Sequence, residues 1–120
     1  MILHLAPAGD WDGLATGEDY VAPSLATEGF IHCTGDEATL LHVANSFYRN
    51  VPGEIVVLDI DEQRLGAPLV WEEPVHEPPA GSNVTSFPHV YGPIEQHAVI
   101  NVRRFRRQTD GTYTGYEPRS

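Results

Sequence analysis

Two hydrophobic periods alternate along this chain. Ile2 to Leu5 reads as a short strand closed by Pro7 and Gly9, and Asp10 is placed to cap a short helix over Trp11 to Ala15, with Gly17 as its stop. Residues 20–25 read as extended around Pro23, and Gly29 to Cys33 as a second strand. Leu40, Leu41, Ala44, Phe47 and Tyr48 then recur at three- and four-residue spacing, which predicts the longest helix. Thr34 and Glu37 have the spacing of a capping box at its start, and Pro52-Gly53 sets its latest end. Glu54 to Ile60 (EIVVLDI) is the strongest strand and is expected at the sheet centre. Pro68 to Trp71 and Val99 to Phe105 are further strands, separated by a proline-rich loop over 72–86. Asp110-Gly111 predicts a turn. The expectation is one α+β domain over residues 1–108, mainly an antiparallel sheet with one longer and one short helix, and a polar tail over 109–120.

Side-chain parity singles out three strands. Residues i and i+2 share a face of a strand. Ile2 and His4 therefore lie opposite Leu3 and Leu5; Phe30 and His32 lie opposite Ile31 and Cys33; Phe87, His89 and Tyr91 share one face if that segment is extended. Each histidine is thus paired with a large apolar or aromatic neighbour. Apolar walls with a few convergent polar groups are what a ligand cleft requires. Imidazole adds a group that donates, accepts or changes charge near neutral pH. His4, His32 and His89 are the candidate catalytic residues on this basis. His42, opposite the apolar stripe of its helix, and His76 and His97 read as surface residues. The competing account of any one such histidine is a hydrogen-bonded core or rim residue.

Composition narrows the chemistry. The formal charge is −10, which argues against general nucleic-acid binding, since that draws on neutralised phosphates. All seven basic residues are arginine, so Schiff-base and P-loop lysine chemistry are excluded. Four of the seven sit in Arg103-Arg104-Phe105-Arg106-Arg107, leaving residues 1–102 with two arginines against fifteen carboxylates. The plain reading of that cluster is a solvated strand edge near the C-terminus. A lone cysteine, Cys33, agrees with a reducing compartment. Without a bilayer-length apolar run or a basic-then-apolar leader, the expected location is the cytoplasm. Three converging imidazoles would be a competing metal site, but no H-x-H or H-x3-H spacing is present, and no metal is assigned.

The blocks ILHLA, SLATEGFIHCT, EIVVLDID, RLGAPLVWE and FPHVYGPI, over roughly residues 2 to 102, closely resemble a bacterial and plant family known as domain of unknown function 952. The resemblance implies a compact version of the ADP-ribosyltransferase fold and, through it, NAD or another nucleotide-like, phosphate-bearing ligand. In that superfamily a first-strand His or Arg holds the ribose, a second-strand aromatic stacks the nicotinamide, and a later glutamate polarises a ribose hydroxyl. His4 matches the first role. Ser24 would add a polar contact, Phe30 or His32 occupies the aromatic region, and Phe87 and Tyr91 would stack a ring. No glutamate stands clearly at the third position; Glu95 is nearby, and FPHVYGP offers His89 and Tyr91 instead. The reading is therefore a small-molecule-binding domain with transferase-like ancestry, with a metabolite-sensing module or a histidine metal site as alternatives.

Overall fold

The computed structural model describes residues 1–74 and 84–119. Four strands, β1 (Ile2–Pro7), β3 (Ile55–Ile60), β6 (Val99–Arg107) and β7 (Tyr113–Pro118), form one antiparallel sheet in the order β1-β3-β6-β7. A second antiparallel sheet has the order β2-β5-β4, from β2 (Ile31–His32), β5 (Phe87–Val90) and β4 (Leu69–Glu72). Among the described residues three helices complete the α+β architecture: α1 (Ala8–Asp12), α2 (Pro23–Glu28) and α3 (Glu37–Phe47). Two short 3-10 turns lie at Glu62–Arg64 and Gln96–Ala98. Among the described residues no helix is long and apolar enough to cross a membrane.

The β3 run IVVLDI is buried along its whole length, because the larger sheet has a core on each face. Ile2, Ala6, Val56, Leu58 and Ile60 pack on one face with Tyr20, Ile31, Val90 and Ile94. Leu3, Leu5, Ile55 and Val57 pack on the other with Leu40 and Ala44 of α3. The central position expected for β3 holds, since β1 and β6 flank it. The two sheets meet at a narrow seam. Leu3 N–H donates to the Thr34 carbonyl at 2.8 Å, and Thr34 N–H donates to the Leu3 carbonyl at 2.7 Å.

That seam explains one departure from the sequence reading. Thr34 is committed to β1, so the cap of α3 falls to Asp36, whose carboxylate accepts from Thr39 N–H at 2.8 Å. A second departure is α2, where an extended segment was expected. Pro23 at the first helical position is compatible with a helix, and Gly29 in the left-handed region (φ +88°) ends it. The second strand shrinks accordingly to Ile31–His32. The first helix begins three residues early, at Ala8, because the Ala8 N–H is fixed by the Glu54 carbonyl at 2.9 Å where the β1–β3 ladder ends.

The segment from 109 onward is not a loose polar tail. Asp110-Gly111 is the turn of a hairpin, with Gly111 at φ +92°, and the chain returns along β6 as β7. Tyr113 is buried, and Asn45 of α3 bonds both its N–H, at 2.8 Å, and its carbonyl, at 3.0 Å. The arginine cluster is consequently on an interior strand rather than an edge. Arg103 donates to Asp59 at 2.8 Å and Glu37 at 3.0 Å, and Arg107 donates to the carbonyls of Arg49, Val51 and Gly53 beyond the end of α3.

Candidate functional site

β2 and β5 pair so that His32 stands directly opposite His89. Facing residues in an antiparallel pair project to the same side, and the two rings meet edge-on with centroids 5.3 Å apart. Phe30 closes the cluster, stacked on His89 at 4.1 Å and edge-on to His32 at 4.8 Å. Each imidazole is backed by a carboxylate. His32 Nε2 lies 2.9 Å from Glu28, four residues earlier at the last position of α2. His89 Nδ1 lies 2.8 Å from Glu72, and the Tyr91 hydroxyl donates to the same Glu72 oxygen. These two bonds, Tyr91 before His89, hold the Glu72 carboxyl below its ordinary pKa, so it stays ionised near neutrality. A carboxylate only accepts, so His89 Nδ1 carries a proton and Nε2 is the basic nitrogen of the neutral ring.

His4 is built differently. Its Nδ1 is 2.6 Å from the His32 carbonyl, which can only accept, and its Nε2 is 3.1 Å from the Tyr20 hydroxyl. The tautomer follows: Nδ1–H donates, and Nε2 accepts from Tyr20. Burial pulls its pKa from 6.5 to about 4, partly opposed by the bond to the His32 carbonyl. His4 is therefore a neutral imidazole at physiological pH with both nitrogens engaged. The same burial pushes the Cys33 thiol up, which keeps it protonated and unreactive.

Between α3 and this face of the second sheet lies a cleft of about 400 Å³. Among the described residues His4, Glu28, His32, Thr34, Tyr48 and His89 supply polar groups to it. Leu5, Leu40, Val43, Phe47 and Phe87 supply apolar wall. Four of the eight expected site residues thus border one cleft: His4, His32, His89 and Phe87. Phe30 and Tyr91 pack beside the histidines, Tyr91 with its ring 5.4 Å from Phe30. Ser24 does not border the cleft; its hydroxyl donates to the Phe30 carbonyl at 2.8 Å and holds the turn into β2. Glu95 is also elsewhere, accepting from Gly66 N–H at 2.9 Å. It was the nearest carboxylate in sequence, but the chain turns away after β5.

The carboxylates that do reach the histidines, Glu28 and Glu72, were not anticipated. Glu28 reaches His32 because the left-handed Gly29 ends α2 and turns the chain back into β2, a geometry visible only once α2 is recognised as a helix. Glu72 becomes a neighbour through the β4–β5 register, in which Val70 faces His89 and Glu72 faces Phe87. His42 and His97 are exposed, as expected, and His76 lies outside the described residues. Among the described residues no group of three His, Cys, Asp or Glu side chains could hold a metal ion.

Fold and site together define an α+β domain with two antiparallel sheets and a histidine-lined cleft at their seam. Residues 5–102 match the family described as protein of unknown function (DUF952), and the chain belongs to that family. Among solved structures it is similar to protein CC0527 from Caulobacter crescentus, with 23% identity, a TM-score of 0.74, and coverage of 94% of this chain and 92% of that one. A double mutant of CC0527 matches at 22% identity with the same TM-score. No curated protein is significantly similar in sequence.

Proposed function

We propose that the cleft binds a small ring-bearing molecule and that His89 acts on it as a proton acceptor through Nε2. The observation that carries this reading is the facing pair His32–His89, each imidazole backed by its own carboxylate. Such backing fixes ring orientation and tautomer and stabilises the protonated ring once a proton has been taken. His32, its Nε2–H likewise given to a carboxylate, faces the same ligand from across the strand pair as a polar wall. His4 is a positioning residue: it holds the His32 carbonyl and leaves no nitrogen for chemistry. Phe30, Phe87 and Tyr91 stiffen the aromatic surround.

The resemblance to ADP-ribosyltransferases is supported by the order of elements and by a first-strand histidine beside the cleft, and it implies NAD. The walls accept a nicotinamide-sized ring. They offer nothing for the diphosphate, because no arginine among the described residues borders the cleft and Glu28 does. No step is therefore assigned through NAD, and the transferase-like part of the reading rests on ancestry alone.

Calorimetric titration with nicotinamide, NAD and ADP-ribose tests this reading. Nicotinamide is expected to bind, and His89→Gln to weaken it at least tenfold, about 1.4 kcal/mol. ADP-ribose is expected to give no heat. Equal affinity in both proteins would remove His89 from the site. Thermal stabilisation by a ligand that is recovered unchanged would mark a sensing module rather than an enzyme.

A further inference from the structure

Leu40, Val43 and Phe47 follow one another at three- and four-residue spacing on α3, so they form one stripe of the helix, and all three border the cleft. Burial falls along that stripe. Leu40 is 1% exposed against the larger sheet, whereas Phe47 is 55% exposed at the last position of the helix. Two turns of helix separate them, a rise of about 10 Å. The cleft therefore has a floor at Leu40 and a rim at Phe47, and the rim is aromatic.

A half-exposed phenylalanine is ordinary by itself. Two features set this one apart. The first is that the backbone carrying it is fixed. Tyr48 N–H donates to the Ala44 carbonyl at 2.9 Å, the Tyr113 hydroxyl donates to the Tyr48 carbonyl at 2.9 Å, and the Asn45 side chain is bonded to the backbone of β7. Asn45 and Tyr48 thus tie the last turn of α3 to the larger sheet. Phe47, between them, packs into neither core cluster among the described residues. Its ring is held in place at the cleft without being used by the fold. The second feature is the opposite wall, where β5 supplies Phe87, itself buried, with His89 two residues further along the same face. A slot with a phenylalanine in each wall suits a flat ring. Such a ring keeps its whole face within van der Waals reach of a phenyl group and gains from the phenyl quadrupole, while a cyclohexyl chair touches it through a few hydrogens.

Resting on the reading of this cleft as a ring-binding site, we infer that Phe47 is its specificity-determining residue, covering the bound ring from the rim and selecting a flat aromatic ring over a puckered aliphatic ring that carries the same polar group.

Benzamide and cyclohexanecarboxamide both carry a carboxamide on a six-membered carbon ring and differ in planarity. Each is titrated calorimetrically into the full chain, into Phe47→Leu and Phe47→Trp, and into Ile100→Ala, which removes an exposed apolar side chain from β6 rather than from the cleft wall. The unaltered chain and Ile100→Ala are expected to prefer benzamide by about fivefold. Phe47→Leu keeps apolar bulk but no flat face, and should bring the two ligands within a factor of about two by weakening benzamide alone. Phe47→Trp should retain the preference. Thermal midpoints of the Phe47 variants are expected within about 3 °C of the unaltered chain, since the residue is outside both cores. A larger loss in Phe47→Leu would make Phe47 a packing residue and overturn its assignment. An undiminished preference for benzamide in Phe47→Leu would also overturn it, while leaving the cleft a ring-binding site. Equal affinity for the two ligands in the unaltered chain would overturn selection by planarity. Silence from both ligands would overturn the inference together with the ring-binding reading on which it rests.

Discussion

Acidification from pH 7 to pH 4 is expected to cost the fold roughly 3 kcal/mol through His4 alone. The folded-state pKa is about 4 against 6.5 for an ordinary histidine. Between those values the unfolded chain takes up a proton that the folded chain refuses. Stability is thus fully present above about pH 6.5, falls as the pH drops toward 4, and loses nothing more through this residue below that. The physical cause is burial in a place where Nδ1–H already has the His32 carbonyl and Nε2 already has the Tyr20 hydroxyl. Protonation would demand a new acceptor where Tyr20 now donates. Urea unfolding at pH 7, 5.5 and 4.5 measures the slope, and comparison with His4→Gln isolates it from the carboxylates that titrate lower. The variant should be less stable at pH 7 and show a flatter pH dependence above pH 4.5. Parallel slopes in the two proteins would show that His4 is not the group responsible.

Arg103→Leu is the second large effect, an expected loss of about 2 kcal/mol. Asp59 is 8% exposed in the middle of the larger sheet, and Arg103 is its charged partner at 2.8 Å. Removing the guanidinium leaves that carboxylate poorly solvated and releases Glu37 in the first turn of α3. The cost falls below that of a fully buried pair because a fifth of the Arg103 side chain still meets water. The stacking of Arg103 over Tyr116, 4.9 Å from the ring centroid, is lost as well. Adding Asp59→Asn to Arg103→Leu should restore part of the loss, because the orphaned charge is then gone. Chemical denaturation of the two variants and the double variant checks this; a double variant no better than Arg103→Leu would assign the cost to packing instead.

Much of the cleft was legible from strand parity. His32 and His89 share a face with large apolar neighbours because both segments are extended and no bulge intervenes between Phe87 and Val90. Local pattern could identify β3 and α3 for the same reason, since their signals lie within one element. What escaped depends on register between elements. Nothing in FPHVYG says that Glu72 lies diagonal to His89; only the β4–β5 pairing does. The helix over Pro23–Glu28 was hidden by reading Pro23 as a mark of extended chain, and with it went the Gly29 turn that brings Glu28 back beside His32. β7 was missed although its turn was recognised, because its pattern, Tyr113 and Tyr116 among polar residues, is too weak to announce burial without α3 above it. His4 illustrates the opposite error. Its parity and company were right, yet the two bonds that occupy its ring come from Tyr20 and from the backbone of another strand.

The two reciprocal bonds between Leu3 and Thr34 give the seam a measurable voice. They are the isolated bridge by which β1 meets the chain just after β2, and the cleft opens beside them at Leu5 and Thr34. A molecule bound there as proposed would touch both Leu5 of β1 and Thr34 and so oppose local opening of the bridge between them. Exchange of the Leu3 and Thr34 amide hydrogens with deuterated solvent should therefore slow when the cleft fills, while amides at the hairpin of β6 and β7 keep their rates. The joint between the sheets becomes an occupancy gauge that needs no knowledge of the reaction.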